Sequence, residues 1–181
     1  MRSLVPLSVL LLACGDDAGS PRDGGPQCAA FPVSLQVRGP DYAYHDIPGD
    51  ADLVLGFQGF RYIYLRARTS AEPPVMQGSV VAEPEGQSLV SQPVRFSFSE
   101  EDDGVWLSDP VIVFFNDIPL PSLVGQGCRV WMRVGDERCG GEAEGRVVLR
   151  YDPRCYEGGM GERICTDADV PRPFEDDGGA P

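Results

Sequence analysis

Three observations predict an all-β chain built as an antiparallel sandwich. Apolar and polar residues alternate at period two in one stretch after another. No apolar i, i+3, i+4, i+7 pattern survives for three turns. The 22 glycines and 17 prolines interrupt nearly every window of helical length.

Strand one is read from Phe31, Val33, Leu35 and Val37, which alternate with Pro32, Ser34, Gln36 and Arg38. Residues 39–50 contain Gly-Pro and Pro-Gly steps, lose all periodicity and read as a surface loop. A short strand from Asp52 to Leu55 is broken by Gly56-Phe57-Gln58-Gly59. The longest alternation follows from Phe60 to Arg68, with Ile63, Leu65 and Ala67 on one face and Tyr62, Tyr64, Arg66 and Arg68 on the other. It predicts a central strand whose outer face is half exposed, since rings and aliphatic stems pack across strands while their polar tips stay hydrated.

Further strands are expected at Val75 to Ala82, Val94 to Phe98, Val105 to Leu107 and Val111 to Phe115. The acidic turns Glu83-Pro84-Glu85-Gly86 and Glu100 to Gly104 separate them, and Pro110 suits the start of an edge-side strand. Cys128, Val130, Met132 and Val134 oppose Arg129, Trp131 and Arg133, and Arg146 to Tyr151 returns as the partner of that strand in a terminal hairpin.

The beginning of the chain carries a different kind of signal. Arg2 precedes an apolar run from Leu4 to Ala13, too short to span a bilayer, which closes on Ala13-Cys14 before Gly15-Asp16-Asp17. This resembles the lipobox of bacterial lipoproteins. The resemblance implies cleavage before Cys14, a diacylglycerol on its thiol, and export to the cell envelope, facing the periplasm or on the outer membrane. Residues 1–13 would then be the signal peptide and 14–27, rich in Gly, Asp, Ser and Pro, a flexible tether. The β domain occupies 28–155, a disulfide-closed loop 156–166, and an acidic, proline-containing tail 167–181 is expected to be disordered.

At the break before the longest strand the chain resembles a second group, small myxobacterial lipoproteins of unknown function. In these a Gly-x-Gln-Gly-Gly turn leads into x-His-(Val or Ile)-aromatic. Gly56, Gln58, Gly59, Ile63 and Tyr64 match, while Phe60 replaces the last glycine and Tyr62 the histidine. The resemblance implies an immunoglobulin-like sandwich over about residues 30–151 and supplies no activity.

With 28 acidic against 15 basic residues and a formal charge of −13, the chain is a poor partner for nucleic acid or anionic headgroups, which need clustered cations. The basic residues are all Arg, a pattern attributed to codon usage and not to function. Beyond Cys14 the cysteines are Cys28, Cys128, Cys139, Cys155 and Cys165, an odd set in an exported chain that reads as two disulfides and a free thiol. Cys155–Cys165 is the first expected bridge, because Gly158, Gly159 and Gly161 let the intervening loop close. Cys128 and Cys139 can each pair with Cys28, and the sequence does not choose between them.

Catalytic signals are thin. The single histidine, His45, sits beside Asp46 without a nucleophile motif, and carboxylates gather in turns where solvation explains them. No cofactor and no metal site is expected, although Asp46, Asp50 and Asp52, or Glu100 to Asp103, are the places a calcium-dependent adhesion module would use. The expected function is binding or surface coverage in the envelope, through the Cys14 lipid to the membrane and through the Tyr62, Tyr64, Arg66, Arg68 face to an envelope protein or polysaccharide. A carbohydrate-binding module is the alternative. A hydrolase would need His45 buried beside a nucleophile, or a cleft of converging carboxylates.

Overall fold

The computed structural model describes residues 30–56, 58–70, 72–73, 77–101, 104–135, 140–158 and 162–165. These residues form β1 (Val33–Arg38), β2 (Tyr44–Asp46), β3 (Gly49–Asp52), β4 (Val54–Leu55), β5 (Arg61–Thr69), β6 (Gln77–Pro84), β7 (Val90–Arg95), β8 (Phe98–Glu100), β9 (Trp106–Ser108), β10 (Val111–Phe114), β11 (Gly127–Gly135), β12 (Gly140–Arg150), β13 (Cys155–Glu157) and β14 (Arg163–Cys165). A 3-10 turn spans Leu120–Ser122, and no α-helix occurs among the described residues. The predicted all-β class is therefore observed.

β5 is central, as its alternation predicts. Leu65 faces Val37 of β1 on one side and Val111 of β10 on the other, while Tyr62 faces Val54 of β4 and Phe114. β2 extends this sheet beyond β1, and β9 and β8 extend it at the other edge. The second sheet runs β3-β12-β11-β6-β7, antiparallel except where β3 lies parallel to β12. Leu35, Val37, Ile63, Leu65 and Ala67 from the first sheet meet Val80, Ala82, Val130, Met132, Val134, Val147 and Leu149 from the second in one buried cluster, the sandwich core. Burying alternate residues of both sheets is what the period-two pattern achieves.

Several expectations are corrected. The segment 39–50, read as a loop, holds β2 and the first half of β3. The Gly39 N–H donates to the Ala43 carbonyl at 2.9 Å with Tyr42 at φ 67°, and this turn returns Tyr44–Asp46 onto β1. Val94 to Phe98 is no single strand, because β7 belongs to the second sheet and β8 to the first, with the chain crossing at Phe96 and Ser97. The alternation runs on regardless, since the inner faces of both sheets share the core that buries Phe96. The expected loop after residue 155 is partly a hairpin, with β13 paired to β14.

The two ends of the sandwich differ. The described chain enters at one end, where Val33 faces Thr69 and the Phe31 N–H donates to the Gly140 carbonyl at 3.3 Å. The far end gathers the close of β1 at Arg38, the turn between β4 and β5, the start of β11, and β13.

Candidate functional site

The outer face of the first sheet is set by register. Ser34 lies opposite Arg68 and Gln36 opposite Arg66, while Ile112 faces Tyr64 and Phe114 faces Tyr62 across the other edge. Aromatic rings follow one another along this face. Phe60 packs edge-on against Phe114 at 6.0 Å, Phe114 against Tyr62 at 5.6 Å, and Tyr62 against Tyr64 at 5.4 Å. The Arg38 guanidinium then lies 3.8 Å from the Tyr64 ring centre and 4.3 Å from that of Tyr42. Next along, Arg66 stacks on Tyr44 at 4.3 Å and donates to Gln36 Oε1 at 2.7 Å.

The middle of the face is partly covered: Tyr62 is buried, against the expectation of a half-exposed tyrosine pair, while Tyr64 stays half-exposed. Glu157 of β13, which is joined to Gly56 by a parallel bridge, reaches onto it. Glu157 Oε2 accepts from Arg38 at 3.1 Å and Oε1 accepts the Tyr64 hydroxyl at 2.5 Å, while Asp52 lies 3.7 Å from the same guanidinium. Arg38, Asp52, Glu157 and Tyr62 are all buried, and Tyr64 is half-buried. A charge taken out of water must be paired and hydrogen-bonded, and this cluster pairs one cation with two carboxylates and two rings, leaving Arg38 Nε without an acceptor among the described residues. Burial first, then the bond and charge of Glu157, push the Tyr64 phenol up to about 12, and burial followed by the Glu157 charge pushes Tyr62 further still.

Of the four predicted face residues, Tyr62 and Tyr64 thus pack against each other and against Glu157 of β13. Arg66 is held against Tyr44, and Arg68 is exposed near the entry end beside a shallow depression of about 230 Å³ lined by Pro32, Ser34 and Val105. What remains open is the far end. The exposed large hydrophobic residues among those described are Phe60, Leu89, Phe114 and Val124, and strand register puts all four at the end away from Val33.

No protein-family model and no curated protein matches this chain.

The cysteines divide. Cys155 and Cys165 are bonded, as expected. Cys128, expected as a possible partner of Cys28, is a free thiol at the start of β11 with its side chain in the core. Its alternation with Arg129 turns it inward, and burial pushes its thiol up to about 12. Cys14, Cys28 and Cys139 lie outside the described residues, as do the expected signal peptide, tether and acidic tail.

His45 is exposed on β2, and its Nε2 lies 2.8 Å from Asp41 Oδ1, a bond that lowers the Asp41 carboxyl below its ordinary value. The first set of calcium carboxylates disperses, and Asp102 and Asp103 of the second lie outside the described residues. Asp46 accepts from Gln36 at 2.8 Å, Asp50 pairs with Arg150 at 3.0 Å, and Asp52 faces Arg38. No group of three potential metal ligands comes together among the described residues. A concavity of about 520 Å³ lies on the second sheet, where Glu85 pairs with Arg146 and Glu144 with Arg129 at 2.8 Å.

Sequence reasoning missed the Arg38, Asp52, Glu157 cluster. Its members come from three separate strands, and each alone reads as a solvated surface charge.

Proposed function

We propose that the chain is a lipid-anchored protein of the bacterial envelope, akin to the myxobacterial lipoproteins that its Gly56-x-Gln58-Gly59 turn resembles, and that it works by binding a partner at the end away from its anchor. One observation carries this reading. The four exposed large hydrophobics occupy the end opposite the entry of β1, the end a Cys14 lipid would leave facing outward. Phe60 and Phe114 supply rigid aromatic area of the kind that anchors interfaces, and scattered exposure does not by itself place apolar residues at one end. No helix among the described residues is long and apolar enough to cross a membrane, so attachment in this reading rests on the lipid.

Two experiments test it. Intact mass of the envelope form should show a chain beginning at Cys14 with added acyl mass, and Cys14→Ala should release the protein; an unacylated chain or another start refutes the anchor. A photo-crosslinking residue at Phe60 should capture a discrete envelope partner on living cells, and one at Arg68 should not. Equal capture at both positions, or none at Phe60, refutes the binding end.

A carbohydrate-binding role is the second reading. The concavity near Glu85, Glu144 and Arg146 favours it, because paired polar side chains in a depression suit sugar hydroxyls. Glycan retention lost on Arg146→Ala, with Phe60→Ala silent, would choose it over the first.

A further inference from the structure

We propose that the concavity on the second sheet takes a glycan carrying free amino groups, and that Glu83 selects the protonated amine. The proposal rests on the carbohydrate reading above and adds to it the charge of the ligand.

The wall of the concavity is fixed by backbone. Pro84 to Gln87 form the turn that leaves β6, closed by the Gln87 N–H donating to the Pro84 carbonyl at 3.1 Å with Gly86 at φ 71°. The Glu85 N–H donates to the Gly127 carbonyl at 2.9 Å, which ties this turn to β11. The space it borders, about 520 Å³, falls inside the roughly 300–1,000 Å³ range of small-ligand sites. A ligand therefore meets a preformed hollow and not a flat sheet.

The charges in the hollow follow from register. Arg129 of β11 lies directly opposite Arg146 of β12, an arrangement that is unfavourable unless each guanidinium finds an anion. Both do. Arg129 donates to Glu144 Oε2 at 2.8 Å, and its guanidinium lies 5.0 Å from the centre of the Trp131 ring. Arg146 donates to Glu85, whose carboxylate passes close over Gly127, where a Cβ would come within 2.8 Å of Glu85 Oε1. These two pairs cancel. Glu83, exposed on β6 and opposite Arg129, is the charge left over, since its carboxylate makes no hydrogen bond or ion pair among the described residues. Three carboxylates against two guanidiniums leave the hollow one charge negative.

That surplus defines the ligand. An anionic chain would set its charge against Glu83 on a protein whose formal charge is −13, whereas an ammonium group finds in Glu83 a carboxylate that no other side chain holds. Hydroxyls suit the rest of the lining. Each guanidinium keeps N–H groups beyond the one its carboxylate accepts, the Gln87 amide both donates and accepts, and exposed pairs of this kind yield readily to a competing bond. An amino sugar that is not acylated on nitrogen carries both features.

Calorimetric titration of the full chain with chitotetraose and with its fully deacetylated counterpart tests the selection, in mildly acidic buffer where the amines are protonated. The two oligomers share one backbone. The deacetylated oligomer should bind several-fold more tightly, and Glu83→Gln, which keeps the shape and removes the charge, should bring the two affinities together without moving the thermal midpoint. Arg146→Ala should weaken both. Equal affinities in the native chain, or tighter binding of chitotetraose, overturn the amine selection and leave the carbohydrate reading in place. A preference that survives Glu83→Gln overturns it too, because the acidity of the whole protein then draws the amine. Arg146→Ala without effect puts the ligand elsewhere and overturns both. If neither oligomer binds, the amine selection falls, whereas the carbohydrate reading falls only when other glycans are not retained either.

Discussion

The Phe31 N–H donates to the Gly140 carbonyl at 3.3 Å, stitching the lead-in to β1 onto the first residue of β12. Cys28 precedes Phe31 by three residues, a reach of at most about 10 Å, and Cys139 is next to Gly140. With Cys155 bonded to Cys165, Cys128 free in the core and Cys14 taken up by the proposed lipid, these two are the cysteines left to pair. A Cys28–Cys139 disulfide is expected, at the roughly 5–6 Å Cα separation such bonds prefer. Peptide mapping of the protein without reduction checks it, and Cys128 found in any disulfide would contradict the assignment.

Removing Glu157 should be costly. Glu157→Ala leaves the buried Arg38 with Asp52 at 3.7 Å as its remaining carboxylate, and breaking a buried pair from one side costs about 3–5 kcal/mol. Glu157→Gln, which keeps an acceptor oxygen, should cost less. Urea unfolding measures both; a loss under about 1 kcal/mol, the scale of surface pairs, would mean that Arg38 simply rehydrates.

Tyr62→Ala should destabilise by about 3 kcal/mol, in the range for large-to-small changes at buried aromatic positions. On an open outer face the same change would leave the thermal transition nearly still, so the measurement separates a packed ring from a free one.

That contrast marks how far the sequence could be read. Period two shows which residues of β5 share a face, and the core face of Ile63, Leu65 and Ala67 is as it predicts. It cannot show what lies on top, because the covering Glu157 is 93 residues from Tyr64. β11 was legible throughout, its alternation matching burial from Cys128 to Val134. β2 was not, since an edge strand of three polar, mostly exposed residues has no apolar face to display. The Arg38 cluster was invisible for a related reason: pairing over 119 positions leaves no local pattern.

Stability should decline in alkali. Cys128 is pushed up to about 12 from an ordinary 9.0 and Tyr64 up to about 12 from 10.0, with Tyr62 raised as well, chiefly by burial. The folded protein therefore keeps these groups neutral while the unfolded chain ionises them at their ordinary values. Their contribution is complete below about pH 9 and is lost as pH climbs towards 12. The thermal midpoint should fall across that window, and Cys128→Ala should delay the onset to about pH 10, where tyrosine begins to ionise. A midpoint flat over the window would contradict the burial of all three.

Gly141→Ala should destabilise by about 1–3 kcal/mol, the usual range for overpacking. A Cβ there meets the Phe31 carbonyl oxygen and Val33 Cγ2, and backbone held by the Phe31–Gly140 bond cannot swing aside. Calorimetry of the variant suffices, and an unchanged midpoint would show that the β1 lead-in can shift away.

β1 lies inside its sheet, with five residue pairs to β5 and three to β2, and it runs from the entry end towards the far end. A pull on the N-terminus, resisted by anything gripping the far end, is directed along this strand once the expected Cys28–Cys139 bond is reduced. Its ladder bonds then bear the load side by side and must rupture together, whereas a strand pulled crosswise peels away one bond at a time. The fold is thereby arranged to withstand traction through its leading strand, and single-molecule extension should show a higher unfolding force for pulling between the N-terminus and position 60 than for pulling across the sheet.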